Sequence, residues 1–340
     1  MRTYFVKSGD NFRQIGKEQN REPSYLAALN GRCVEDELIE GEAILLPPPR
    51  ECEAVARVKE GALCLNGFCA AGTSEQAVKE VLPYLTTLTE EGGYYTAKEG
   101  LQLPRASCSN LVCESGVTRL LLPQIGKAPL LPLGEYCTCL AEAGYGGLVL
   151  SISEYSTEEL TSALPQLAKI YKNNNLALIA LVRESALRKR PKLWIYLAEI
   201  LDGIFLLADE ITTPWEARLA HLGEDFPKGM RRRLYSELPY ALACSQGRNV
   251  SYLPLDRLAE QIKKSHAIRG RGSIEWRQGG YQIYGEDAAS VGMALGRIAR
   301  LGIPGCTLHL GHTPPWILPL IRSRFACQVR CQRSDKHSPW

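Results

Sequence analysis

Residues 147–182 read GLVLSISEYSTEELTSALPQLAKIYKNNNLALIALV, and this stretch decides the fold class. Gly147–Ser153 and Leu176–Val182 are short, nearly continuous apolar runs, the pattern of strands covered on both faces. Between them Ser156 or Thr157 offers a capping hydroxyl, and Thr157–Asn173 carries its leucines at helical spacing. Strand, helix and strand in so short a span form one βαβ unit.

The alternation continues outward in both directions. Upstream, Gly61–Phe68 reads as a strand, followed by a capped helix from Thr73 or Ser74 to about Leu82. Gly92–Thr96 and Val117–Pro123 are further strands, and Leu133–Ala143 is a helix leading into Gly147. Downstream, helix Lys192–Leu201 precedes strand Gly203–Ala208, and Leu234–Cys244 includes another strand. Helices Pro254–Lys264 and Glu286–Leu301 follow, and strand Gly305–Leu310 closes the series. About eight strands with intervening helices predict an α/β fold of the (β/α)8 barrel type, whose sites lie at the C-terminal strand ends.

A smaller unit precedes the barrel. Tyr4–Lys7 reads as a strand, Ser8–Asn11 as a turn rich in capping side chains, and Phe12, Ile15 and Gly16 as the buried side of a helix. Asn20–Ser24 breaks that helix and starts a second, with Tyr25, Leu26 and Leu29 inward and Asn30-Gly31 as its stop. Gly41–Pro47 is a returning strand, which makes residues 1–49 a βααβ module. Pro47-Pro48-Pro49-Arg50-Glu51 is a stiff connector. The expected division is a module at 1–49, a linker at 50–58, a barrel at 59–328 and a tail at 329–340.

Composition narrows the function classes. The 340 residues are 45% hydrophobic, enough for a sizeable core, and the net charge of +3 is close to balance, so no nucleic-acid partner is expected. The basic clusters Arg231–Arg233 and Arg269-Gly270-Arg271 read as solvated edges. No apolar run reaches the roughly 18–20 residues of a membrane span. Met1–Lys7 has no long apolar region and no cleavage site, so synthesis in the cytoplasm without a signal peptide is expected. Twelve cysteines at irregular spacings form no C-x-x-C pair. Core or surface thiols, disulfides, or a metal site remain open for them. There is no nucleotide-binding glycine loop, no H-E-x-x-H and no G-x-S-x-G, and no cofactor is expected.

The order V-K-S-G-D-N-F-x-x-I at 6–15, L-x-x-L-N at 26–30 and G-x-x-I-L-L-P at 41–47 resembles a LysM domain along its whole length. The resemblance implies binding of N-acetylglucosamine-containing glycan, either peptidoglycan or a chitin-like polymer. The groove would lie between Gly9, Asp10, Asn11 and Phe12 on one side and Leu29, Asn30 and Gly31 on the other.

The barrel resembles family 18 glycoside hydrolases, in particular the LysM-bearing branch associated with bacterial spores. The resemblance is carried by Leu65–Phe68, Leu82–Leu88, Ala143–Gly147, Asp202–Glu210 and Gly302–Gly311. It implies a spore coat or cortex setting, or a cell-wall one, with spore coat proteins as further partners. That family works through D-x-x-D-x-D-x-E on the fourth strand, where the glutamate protonates the glycosidic oxygen and the neighbouring aspartate orients the substrate's acetamido group. With Gly147 on the motif's glycine, these positions become Gly146, Val149, Ser151 and Ser153, none of them acidic.

Glu154 comes one residue later, and strand side chains alternate faces, so it is expected to point away from the missing acid's place. On strand six the family's Met-x-Tyr-Asp becomes Leu207, Ala208, Asp209 and Glu210, and on the last strand the tryptophan under the sugar becomes His309. The barrel is therefore expected to be non-hydrolytic, with Phe68, Ser151, Ser153, Asp209, Glu210, Tyr240 and His309 around its pocket. The alternative is an active glycosidase using Glu154 or the Asp209-Glu210 pair. A third reading joins Asp209, Glu210, Glu237, His309 and His312 in a metal or acid–base site.

Overall fold

The computed structural model describes residues 2–30, 32–41, 43–46, 63–104, 112, 115–209, 213–246, 249–254, 268–270, 273–278, 281–286, 288–312 and 317–325. Two N-terminal strands, β1 (Arg2–Phe5) and β2 (Ala43–Leu46), pair antiparallel around helices Phe12–Glu18 and Pro23–Leu29. This is the expected βααβ order, with the first strand two residues earlier than its apolar letters suggest. Asn11 caps the first helix by accepting the Gln14 N–H at 2.9 Å. Phe12, Ile15, Leu26, Ile44 and Leu46 close the module's own core.

Eight parallel strands close into a barrel. In chain order they are β3 (Cys64–Cys69), β4 (Thr87–Thr96), β6 (Thr118–Gln124), β7 (Gly147–Ser151), β8 (Ala177–Arg183), β9 (Gly203–Leu207), β10 (Leu234–Glu237) and β16 (Gly305–His309). Pairing of β3 with both β16 and β4 completes the ring. The (β/α)8 expectation is met, and Gly147–Ser151 is the fourth strand, Gly203–Leu207 the sixth and Gly305–His309 the eighth.

The unit read first shows why these residues fold so. Ser156 and Glu159 form a reciprocal capping box, and the carboxylate of Glu159 sits below its usual pKa because the Ser156 N–H and hydroxyl favour its charge. Leu160, Leu164, Leu167 and Tyr171 then line one buried face of the helix Thr157–Asn173. Each buried leucine contributes about 1.5–3 kcal/mol.

Three sequence expectations need correction. The second barrel strand starts at Thr87 rather than Gly92, and its far end runs on past the barrel to form a hairpin with β5 (Gly100–Gln102). The Gly92-Gly93 pair marks the bulge where the strand leaves the barrel. Gly93 has φ +72°, and a Cβ there would stand 2.2 Å from the Gln102 carbonyl oxygen. Leu133–Ala143 is a 3-10 turn, Leu131–Tyr136, followed by a short helix, Cys137–Glu142.

Leu234–Cys244 is two strands of different sheets. Past β10 the chain enters a five-stranded antiparallel sheet of β11 (Ala241–Gln246), β12 (Asn249–Pro254), β13 (Ile268–Gly270), β14 (Ser273–Gln278) and β15 (Tyr281–Gly285) before returning to β16. The expected helix at 254–264 lies outside the described residues after Pro254, as do the linker 50–58, Gly31, Glu210 and the tail 329–340.

The module is seated on the barrel through Leu29 and Leu45, which belong to the large core cluster rather than to the module's own. Leu45 packs over Gly292 of helix Ala288–Leu301, where a Cβ would already meet it at 3.4 Å. Cys33, Cys137, Cys139 and Cys306 are free thiols. Among the described residues no helix is long and apolar enough to cross a membrane.

Candidate functional site

Alternation along the barrel strands fixes which side chains face inward. Phe68, Leu120, Leu122, Val149, Ile179, Leu181, Phe205 and Tyr235 fill the interior as one apolar cluster. Continuing the same faces toward the C-terminal ends brings Ser151, Arg183, Glu237 and His309 to the mouth. The fourth strand therefore presents buried Val149 and then exposed Ser151, two of the positions that the sequence reading sets against the motif's carboxylates.

The turn beyond that strand is pinned. The Arg190 guanidinium donates to the carbonyls of Ser153 (3.1 Å) and Tyr155 (2.8 Å), and the Tyr155 hydroxyl donates to the carbonyls of Gly126 and Ala128. Ser153 is half-buried and Glu154 exposed on this turn. The Asp209 carboxylate accepts from the Ser185 N–H and, at 2.6 Å, from the Ser185 hydroxyl, at the start of helix Glu184–Lys189.

Glu237 and His309 do converge. His309 Nε2 stands 2.5 Å from Glu237 Oε1, and the other carboxylate oxygen accepts the Ala208 N–H at 2.8 Å. The imidazole lies between two rings, stacked on Phe68 at 5.5 Å and tilted against Tyr240 at 4.2 Å. His312 is exposed beyond the strand and does not join them. Among the described residues no group of three or more His, Cys, Asp or Glu is placed to hold a metal.

Behind this pair lies a buried polar network that sequence reading missed. Glu184 accepts from Arg218 at 3.0 Å, and both are buried. Glu286, at the end of β15, accepts the Trp215 N–H at 2.7 Å and the Tyr284 hydroxyl at 3.1 Å, so it anchors the start of helix Trp215–Asp225. A pocket at the C-terminal ends of β9 and β10 is lined by Ala208, Thr213, Arg218, Glu237, Tyr240 and Glu286, among others. The missed residues lie on helices and on the inserted sheet, where sequence offers only an isolated charge inside an apolar pattern.

Burial raises the pKa of Glu286, opposed by its hydrogen bonds and by Arg218. The folded protein thus holds this proton to higher pH than the unfolded chain does. The associated stability is complete below the ordinary glutamate value and is lost as pH rises through the raised one. Glu286→Gln keeps the acceptor for Trp215 and Tyr284 and removes the titration. Its thermal midpoint should rise relative to wild type as pH goes from about 4 to about 8, and parallel curves for the two proteins would refute this.

In the module, the candidate groove residues are mostly committed to structure. Phe12 and Leu29 are 0% and 1% exposed, so they are core residues and only their backbone is available to a groove. Asn30 clasps the module, donating to the Leu26 and Leu45 carbonyls and accepting the Leu45 N–H at 2.7 Å. Asp10 accepts from the Tyr4 hydroxyl and the Lys7 N–H, which also holds the Tyr4 phenol up at about 12. Gly9, exposed at φ +84°, shapes the turn.

No family profile and no curated protein matches the chain. Solved structures do. The spore cortex-lytic enzyme SleL of Bacillus megaterium QM B1551 is similar at TM-score 0.66 and 15% identity, covering 96% of this chain and 87% of that one. SleL of Bacillus cereus is similar at TM-score 0.62 and 14% identity, with 95% and 86% covered. A family 18 N-acetylglucosaminidase from Paenibacillus barengoltzii reaches TM-score 0.61 at 12% identity, with 77% of this chain and 98% of that chain covered. The barrel has the family 18 glycoside hydrolase fold. At these identities the likeness concerns the fold alone.

Proposed function

We propose that this protein binds N-acetylglucosamine-containing wall glycan, with peptidoglycan of the spore as the leading candidate, and does not hydrolyse it. The N-terminal module supplies attachment and the barrel a second glycan-facing surface. One observation carries the non-hydrolytic part: the inward face of the fourth strand ends in Val149 and Ser151, and Glu154 stands exposed on the pinned turn beyond. A positioned general acid is worth about 10²–10⁴ in rate, so a barrel without one turns over at a small fraction of an active homologue's rate. The binding part is supported by the βααβ module, whose sequence resembles LysM. The neighbours named for spore cortex-lytic activity add support, since their likeness spans module and barrel together.

The test pairs two assays on the full chain. It should co-sediment with purified peptidoglycan, and it should release no reducing ends from peptidoglycan or chitooligosaccharide. Turnover abolished by Glu154→Gln or Glu237→Gln would overturn the non-hydrolytic reading. Failure to sediment with either spore or vegetative peptidoglycan would overturn the binding one.

A further inference from the structure

We infer that the barrel positions the module's glycan groove: the seat of Leu45 on helices Ala288–Leu301 and Ile317–Arg324 holds the Leu29-Asn30 turn in its binding shape, and Gly292 and Leu320 are positioning residues for glycan recognition. The inference rests on the glycan reading above and adds to it a dependence of the module on the barrel. Helix Ala288–Leu301 carries the seat. Its residues Val291, Gly292, Ala294, Leu295, Gly296 and Ile298 are all buried, and at 3.6 residues per turn they cover more than half of its circumference. An outer helix of a barrel otherwise keeps a broad polar face for water. Gly292 lies under the module: a Cβ there would meet Cδ1 and Cδ2 of Leu45 at 3.4 and 3.5 Å and Cδ1 of Leu320 at 3.8 Å.

The seat and the candidate groove share residues. Leu29 belongs to the same core cluster as Leu45, Leu295, Ile317 and Leu320, while its backbone borders the groove. Asn30, the next residue, holds Leu45 by both ends of its amide, accepting the Leu45 N–H at 2.7 Å and donating to the Leu45 carbonyl at 3.0 Å. The same amide donates to the Leu26 carbonyl at 2.8 Å, which ties this strand to the module's second helix. A displacement of Leu45 therefore moves Asn30, and with it the turn whose backbone a glycan would contact. The module's own core does not supply this contact. Ile44 and Leu46 point into that core with Phe12, Ile15 and Leu26, and Leu45 between them points to the opposite face. A recognition turn fixed before the ligand arrives is spared the cost of ordering on binding. Barrel residues that never touch the glycan thereby contribute to the module's affinity.

Calorimetric titration of the full chain with chitotetraose tests this. Phe12→Ala, which removes a wholly buried ring from the module's own core, identifies the binding event that belongs to the module. Gly292→Val pushes Leu45 outward, and Leu45→Ala withdraws the contact from the other side. Each should weaken the module's event about tenfold, the scale of coupling between two places in a protein, while limited proteolysis still spares residues 1–49. The double variant Gly292→Val/Leu45→Ala exchanges nearly equal volumes across the seam and should recover most of the affinity. Single variants that keep the module protected and titrate like wild type would overturn the inference and leave the glycan reading intact. So would an affinity loss that comes only with cleavage of the module, or a double variant that recovers nothing. No chitotetraose binding by wild type would overturn the glycan reading and this inference with it.

Discussion

Phe12→Ala is expected to unfold the N-terminal module while the barrel stays folded, and with it to abolish co-sedimentation with peptidoglycan. Phe12 is wholly buried and packs with Val6, Ile15, Leu26, Ile44 and Leu46. Truncating a buried phenylalanine costs about 3–5 kcal/mol in transfer and cavity terms. A unit of fewer than fifty residues buries little surface and has a stability of the same order. Seating of Leu29 and Leu45 on the barrel stabilises the module, but only its folded form makes that contact. Limited proteolysis should cleave the variant within residues 1–49 and spare the barrel. Undiminished sedimentation of the variant would show that attachment does not need the module's fold.

Arg218→Met is the second large effect, and it acts on the barrel. Burial holds the Glu184 carboxyl above its ordinary pKa, and Arg218 at 3.0 Å is the chief opposing influence. Arg188, half-exposed at 3.7 Å, compensates little. Removing the buried guanidinium leaves an uncompensated carboxylate, a loss of about 3–5 kcal/mol. The sign with pH follows from the raised pKa. The variant's folded state keeps Glu184 protonated to still higher pH, so its deficit is small near pH 4 and grows toward pH 8. Urea unfolding at both values measures this, and Arg218→Met/Glu184→Gln should recover most of the loss. A deficit independent of pH, or no recovery in the double variant, would show that the pair is not the source.

The barrel was legible because its signals are local. Ser156 caps, the leucines of Thr157–Asn173 repeat at helical spacing, and the apolar runs before and after have strand length. The inserted sheet was not read, although the Gly-Gly at 279–280 between two β-rich runs is a hairpin signal. Its strands are short and lie between two barrel segments, so they were absorbed into one strand and one helix. The second barrel strand was placed late because Thr87–Glu91 mixes polar and apolar residues: Thr87 and Thr89 donate to Asn66 inside the barrel, and Glu90 pairs with Arg119 behind it. Hydropathy cannot see that both partners are supplied from other strands.

Sequence alone determined the βααβ module, the eightfold alternation of strand and helix, and the absence of acidic residues from Gly146, Val149, Ser151 and Ser153, because backbone propensity and residue identity are local properties. Tertiary structure alone decided that His309 meets Glu237, that Asp209 is drawn to Ser185, and that Arg218 and Glu286 line one pocket. His309 and Glu237 lie 72 positions apart in the chain, and only closure of the barrel brings their strands side by side. Whether a polar side chain is solvated, paired or left with an unused atom depends on what the rest of the fold packs against it.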